Sequence, residues 1–149
     1  MLSSERKSIN NMSQAIRTLQ EAQQRALAGR PKIGGFPYLA ETLRRAGVTR
    51  NIWVLPACQS LYFTDKSTIL TQDQPLLSGM TEVPSFNQEA LVQALRTDQA
   101  GKSSFLEFLR ASWMAGVIRY EVDFLSRTVT YYGCCDKVYV ESYPEVEVP

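Results

Sequence analysis

The sequence predicts an α+β domain of two pseudo-repeats, each running helix, helix and then antiparallel strands, with the helices packed on a sheet. Three observations predict it. The tract Phe36-Pro-Tyr-Leu-Ala-Glu-Thr-Leu-Arg-Arg-Ala-Gly-Val-Thr-Arg50 is echoed by Phe105-Leu-Glu-Phe-Leu-Arg-Ala-Ser-Trp-Met-Ala-Gly-Val-Ile-Arg119; from 36 to 105 and from 50 to 119 the offset is the same 69 positions. Before each Ala-Gly-Val, apolar residues recur at three- and four-residue steps, the period of a helix facing a core. After the second, Ile118, Tyr120, Val122 and Phe124 interleave with Arg119, Glu121 and Asp123, the period of a half-buried strand.

In chain order, Ile9, Met12, Ile16, Leu19, Gln23, Ala26 and Leu27 mark one face of an amphipathic first helix ending near Gly29, before Pro31. Gly34-Gly35 permits a turn. Pro37 suits the first turn of a second helix, where its missing N–H is not needed; Phe36, Leu39, Ala40, Leu43 and Ala46 form the buried face and Gly47 the stop. From Asn51 to Thr64 the chain is dense in Trp, Val, Leu, Tyr and Phe, and Pro56, which cannot donate to a ladder, predicts an edge strand or bulge there. Asp65-Lys66-Ser67 reads as a turn into a strand over Thr68 to Gln72.

Residues 73–86, with Pro75, Gly79 and Pro84, form the connection between pseudo-repeats 9–72 and 87–143 of a single 1–149 domain. Asn87 caps a helix through Asp98, with Phe86 and Leu91 placed as a hydrophobic staple and Gly101 as the stop. Ser104-x-x-Glu107 is a capping box for the next helix. Phe105, Leu106, Phe108, Leu109, Trp113 and Met114 cover more than one of its faces, which predicts a central helix. A turn at Leu125 to Arg127 and strands over Thr128 to Tyr132 and Val138 to Ser142 complete the second half.

Composition bounds the chemistry. At 149 residues the chain can bury roughly two thirds of its unfolded surface without a metal or disulfide. Sixteen basic against fifteen acidic residues leave a formal charge of +1, so global charge gives no strong nucleic-acid signal. No apolar run approaches the roughly 20 residues of a membrane span, and the first residues lack a secretory signal pattern. Three cysteines, two of them adjacent at Cys134 and Cys135, fit free thiols and a cytoplasmic setting. Histidine is absent, which removes His-dependent triads, His-ligated metals and the commonest general base. There is no Cys-x-x-Cys pair, no Walker-type loop and no Gly-x-Gly-x-x-Gly; no metal or cofactor is expected.

Several constellations carry a chemical reading beside a plainer structural one. Arg30, Lys32, Gly34 and Gly35 precede the second helix, where two cations and free backbone amides would suit a small anionic ligand; the plainer reading is a tight interhelical turn. Arg50 and Arg119 occupy matching places and would each meet a carboxylate among Glu41, Glu121 and Asp123, for structure or for a ligand. Cys58, if nucleophilic, would need a cation or a helix N-terminus to lower its pKa; otherwise it is a buried structural thiol. Glu41, Arg50, Cys58, Tyr62 and Arg119 make up a polar site if they converge. Cys134-Cys135 reads as a hairpin end, or as a vicinal disulfide or soft-metal ligand. Tyr120, Phe124, Tyr131, Tyr132, Tyr139 and Tyr143 would make an aromatic sheet face, either open for stacking and partner packing or covered by helices.

The tract from Arg30 through Asn51, then Leu55-Pro-Ala-Cys-Gln-Ser-Leu-Tyr62, Leu95-Arg-Thr-Asp-Gln99, Ala115-Gly-Val-Ile-Arg-Tyr-Glu-Val-Asp-Phe124 and Val129-Thr-Tyr-Tyr-Gly133, resembles a family of small bacterial proteins of unknown function. Its members are often labelled phage envelope protein, or YbcV-like. The resemblance spans most of residues 12–143 and implies a bacterial or prophage origin; it brings no catalytic residues with it. Two function classes follow. The first is a soluble binding protein with a protein partner or self-association, acting where the pseudo-repeats meet; the second is a small histidine-free enzyme or anion-binding protein.

Overall fold

The structure, a computed structural model, describes residues 2–149, with side chains from Gln14 onward; Ile9 and Met12 of the expected first-helix stripe fall outside the described side chains. Among the described residues the order is α1 (Leu2–Gly29), α2 (Gly35–Arg45), β1 (Val48–Val54), β2 (Gln59–Thr64) and β3 (Thr68–Gln72), then α3 (Gln88–Gln99), α4 (Phe105–Met114), β4 (Val117–Asp123), β5 (Thr128–Gly133) and β6 (Val138–Ser142). All six strands form one antiparallel sheet in the order β3-β2-β1-β4-β5-β6. The α+β class expected from the sequence is the one observed.

The central β1–β4 ladder fixes the symmetry of the molecule. Its register pairs Arg50 with Asp123, Ile52 with Glu121, and Val54 with Arg119. The 69-residue offset exchanges the outer two pairs and turns the middle one into itself, so a pseudo-two-fold axis pierces the sheet between Ile52 and Glu121. Backbone details obey that axis. Bulges fall between Val48 and Arg50 and between Val117 and Arg119. The Leu55 N–H donates to the Ile118 carbonyl at 2.9 Å, and the Phe124 N–H to the Thr49 carbonyl at 3.1 Å. Cys58 and Arg127 both close their hairpins in the left-handed region, at φ 49° and 56°. The echo slips by one residue at the second hairpin of each half: residues 65–67 link β2 to β3, whereas 134–137 link β5 to β6, with Cys135 and Asp136 both at positive φ as in a type I′ turn.

One sheet face carries the core. Ile69, Tyr62, Trp53, Tyr120, Val122, Val129 and Tyr131 project from alternating strand positions and are buried with Leu19, Leu43, Leu91, Leu95, Phe108, Leu109 and Trp113 from the helices. α1 packs on α2 and α3 on α4, a layer of paired helices over the sheet. Leu55 and Phe124, equivalent under the offset, are among the most deeply buried side chains, each contributing about 2–3 kcal/mol of apolar burial. Trp53, Tyr120 and Tyr131 stack edge-to-face along this layer. Asn87 accepts from the Ala90 N–H, and Ser104 with Glu107 completes the capping box, satisfying amides that would otherwise lack partners at the two helix starts.

Two local expectations change. Pro56 marks neither an edge strand nor a bulge: it sits in the turn between β1 and β2, where no N–H is required and where its carbonyl accepts from Leu76. That turn leaves β1 at the sheet centre. Helix α4 is not buried on all sides either. It buries Phe108, Leu109, Ser112 and Trp113, while Leu106 and Met114 are exposed and Phe105 is about half exposed with its ring edge-on to Trp53; among the described residues no element covers its outer surface.

Candidate functional site

Among the described residues no helix packs on the second sheet face, and alternation along the strands decides what it shows. A single register row crosses all six strands on this side: Leu70, Leu61, Ile52, Glu121, Thr130 and Val140. Leu70 and Val140, at the two ends of the row, are 57% and 55% exposed. Three of the six, Ile52, Thr130 and Val140, are β-branched, a shape that a pleated surface accommodates even when half solvated. The row passes through the pseudo-two-fold axis, which places Glu121 near the centre of the face.

Around that carboxylate the arginines form a symmetric figure. Arg50 donates to Glu121 at 3.0 Å, and the Arg119 guanidinium approaches the other oxygen at 3.7 Å. Each guanidinium also lies over an aromatic ring of a neighbouring strand: Arg50 over Phe63, 5.3 Å from the centroid, and Arg119 over Tyr132, 3.9 Å from it. Phe63 and Tyr132 are themselves 69 positions apart. Sequence reading paired the two arginines and named Glu121 among their carboxylates, but missed their aromatic platforms; the same offset applied to β2 would have found them. Of the six aromatic residues expected to share a sheet face, Tyr132 is on this open side, Tyr120, Phe124 and Tyr131 are buried, Tyr139 is half buried beside Tyr131, and Tyr143 lies beyond β6.

The proposed polar quintet does not converge. Arg50 and Arg119 are on the open face, whereas Cys58 and Tyr62 are buried on the helix side and Glu41 is buried on α2. Burial pushes the Cys58 thiol up, with Asp73 adding to the effect, and its S–H donates to the Leu55 carbonyl at 3.5 Å. That is an environment for a thiol rather than a thiolate. Tyr62 is likewise pushed up, chiefly by burial. All three cysteines are unpaired.

The Arg30–Gly35 turn adjoins the start of its counterpart between α3 and α4. The Gly34 N–H donates to the Gln99 carbonyl at 3.0 Å, so this amide is committed to the chain. Arg30 lies near Asp98, whose carboxyl burial raises while the Ser103 hydroxyl, donating at 3.2 Å, and Arg30 oppose that rise. No side chain caps α2, and no acidic residue occupies its first turn.

A second charged assembly surrounds Glu41, which is only 5% exposed. Arg44 grips both carboxylate oxygens, at 2.9 and 2.6 Å, from one turn along α2; Arg45 reaches it at 3.4 Å, and Arg127 comes within 4.0 Å from the β4–β5 turn. The Arg44 hydrogen bonds hold the carboxyl below its ordinary range against the opposing effect of burial. The spacing of Glu41, Arg44 and Arg45 was legible as helical neighbours; the approach of Arg127 was not, because it depends on the β1–β4 seam. Among the described residues no group of three or more Cys, Asp or Glu could hold a metal ion, and no helix is long and apolar enough to cross a membrane.

Residues 10–142 match the family model described as a protein of unknown function, DUF1398. The chain is similar to an uncharacterised protein of Mycobacterium bovis and to two of Mycobacterium tuberculosis, each 57% identical over 136 residues that cover 91% of this chain and 83% of the relative. A family model matched over nearly the whole folded sheet and its helices, together with relatives this similar over most of their length, settles the kinship: this chain belongs to the DUF1398 family, whose function is unknown.

Proposed function

We propose that this chain is a binding protein whose working surface is the open sheet face at the seam of its two halves, and that the surface receives a second copy of the chain. The observation that carries the reading is the register row with exposed Leu70 and Val140 at its ends and the Arg50–Glu121–Arg119 figure at its centre. A face with exposed apolar residues at its ends and paired charges at its centre, unaccompanied by converging catalytic groups, fits protein recognition better than chemistry on a small substrate. The seam is also self-complementary. Two copies facing one another across a two-fold axis along β1–β4 exchange register partners, bringing Arg50 over Asp123 of the other copy and Val54 over the stem of its Arg119. The free thiols suit a reducing compartment, in keeping with a cytoplasmic accessory role, prophage-derived or otherwise.

Sedimentation equilibrium tests this directly. The wild type is expected to form a dimer in the micromolar range; the Leu70→Glu/Val140→Glu variant should remain monomeric with its melting temperature unchanged. Arg50→Asp should weaken the dimer and Asp123→Arg, added to it, should restore it. A wild type that stays monomeric to several hundred micromolar would remove the reading.

A further inference from the structure

A different surface, on the helix side, carries a second site. We infer that Arg44, Arg45 and Arg127 form a receptor for an extended acidic peptide, and that the chain's own residues 143–148 occupy it in cis. Three guanidiniums gather about one buried carboxylate, so Glu41 leaves positive charge at the surface of the cluster uncompensated. The segment after β6 supplies what is missing. Glu145 reaches Arg127 at 3.3 Å, and the Val148 carbonyl accepts from Arg45 at 2.9 Å. The Tyr143 ring packs edge-on against Phe36, 5.1 Å between centroids, and the Tyr143 N–H donates to the Arg127 carbonyl at 3.0 Å.

These contacts define a recognition pattern: an aromatic residue, a carboxylate two positions on, and a backbone carbonyl three beyond that, read along an extended chain. The occupant is lightly held. Residues 144–149 form no helix or strand, and Glu145 is 71% exposed, so its ion pair is of the weak, solvent-screened kind.

The other half shows that the site is an addition to the fold. The segment leaving β3 departs the same way, with the Asp73 N–H donating to the Cys58 carbonyl at 3.0 Å just as Tyr143 does to Arg127. There the counterparts of Glu41, Arg44, Arg45 and Arg127 are Arg110, Trp113, Met114 and Cys58, with no carboxylate ringed by arginines. Strap geometry therefore belongs to both halves, and peptide-reading charge to one.

The test uses the 149-residue chain and a fluorescein-labelled peptide, Tyr-Pro-Glu-Val-Glu-Val-Pro. Glu145→Lys turns the resident carboxylate into a repelled cation and should free the site. Peptide is expected to bind Glu145→Lys protein several-fold tighter than wild type, a composition-matched scrambled peptide several-fold more weakly, and Glu145→Lys/Arg127→Ala protein several-fold more weakly than Glu145→Lys protein. In wild type, excess peptide should increase exchange of the Tyr143 amide, which is bonded to the Arg127 carbonyl, without altering the sheet. Absence of saturable binding to Glu145→Lys protein with an unchanged circular dichroism spectrum, or equal binding of the scrambled peptide, would overturn the inference.

Discussion

The two halves of this sheet share a backbone and diverge in chemistry, and the divergence is not random. Where the offset lands on matching residues, the requirement is geometric: Ala46 and Ala115, Gly47 and Gly116, Val48 and Val117, Arg50 and Arg119, Tyr62 and Tyr131 hold the helix exits, bulges and strand faces. Where it lands on unlike residues the chemistry parts: on the second helix of each half Arg44 stands against Trp113 and Arg45 against Met114, charge against apolar bulk, while Glu41 against Arg110 reverses the sign. Shared positions thus specify the architecture and the symmetric arginine pair of the open face, and unlike positions are where the two halves diverge in chemistry.

The strongest way to break the comparison is at the paired glycines. Gly47 and Gly116 both lie at strongly positive φ, 99° and 91°, so any Cβ is strained at either. Their surroundings differ. A Cβ on Gly116 would meet the Phe86 backbone at 2.6 Å, where the crossing connection is clamped by the Asn87 N–H bonding to the Ala115 carbonyl; on Gly47 it would meet only the Asp65 side chain, which can swing away. Gly116→Ala is expected to cost about 3 kcal/mol or more and Gly47→Ala about 1–2, read by urea unfolding. Equal costs would mean that the crossing strap yields.

A second substitution probes the charged asymmetry. Glu41→Gln leaves three arginines facing an amide, and with those arginines partly solvated the expected loss at neutral pH is about 1–2 kcal/mol. Folding lowers the Glu41 pKa, so the carboxylate stabilises the fold fully above the ordinary glutamate value of about 4.3 and progressively less as pH falls through its folded value. Wild-type and Glu41→Gln stabilities should therefore converge in acid. A gap that does not narrow as the pH falls would assign the effect to packing instead. The smallest change sharpens the same contrast in the core: the Ser112 hydroxyl is buried without a partner where the first half has Leu43, so Ser112→Ala should be neutral or stabilising by about 0.5–1 kcal/mol.

Much of this fold was legible in the sequence because its signals are local. The caps at Asn87 and Ser104, the stop at Gly47 and the alternation through β4 each act within a few residues, and structure forms where they say. Pro56 was misread because one residue without an N–H is compatible with a turn, an edge or a bulge, and only the neighbour across the ladder distinguishes them. The sites were less legible. Arg50 and Arg119 stood out by repetition, yet their meeting on Glu121 and the gathering of Arg127 with Glu41 depend on a register between chain segments about 70 residues apart, which no short-range pattern encodes.

That register has a kinetic consequence. Within each half every strand pairs with its neighbour in the chain, through turns of three or four residues, so loop-closure entropy is small. The β1–β4 ladder alone joins distant strands, closing a loop that contains an entire half. Folding should then be paced by the zipping of two preformed meanders rather than by their formation, and the seam, last to close, should set the unfolding barrier for the whole sheet.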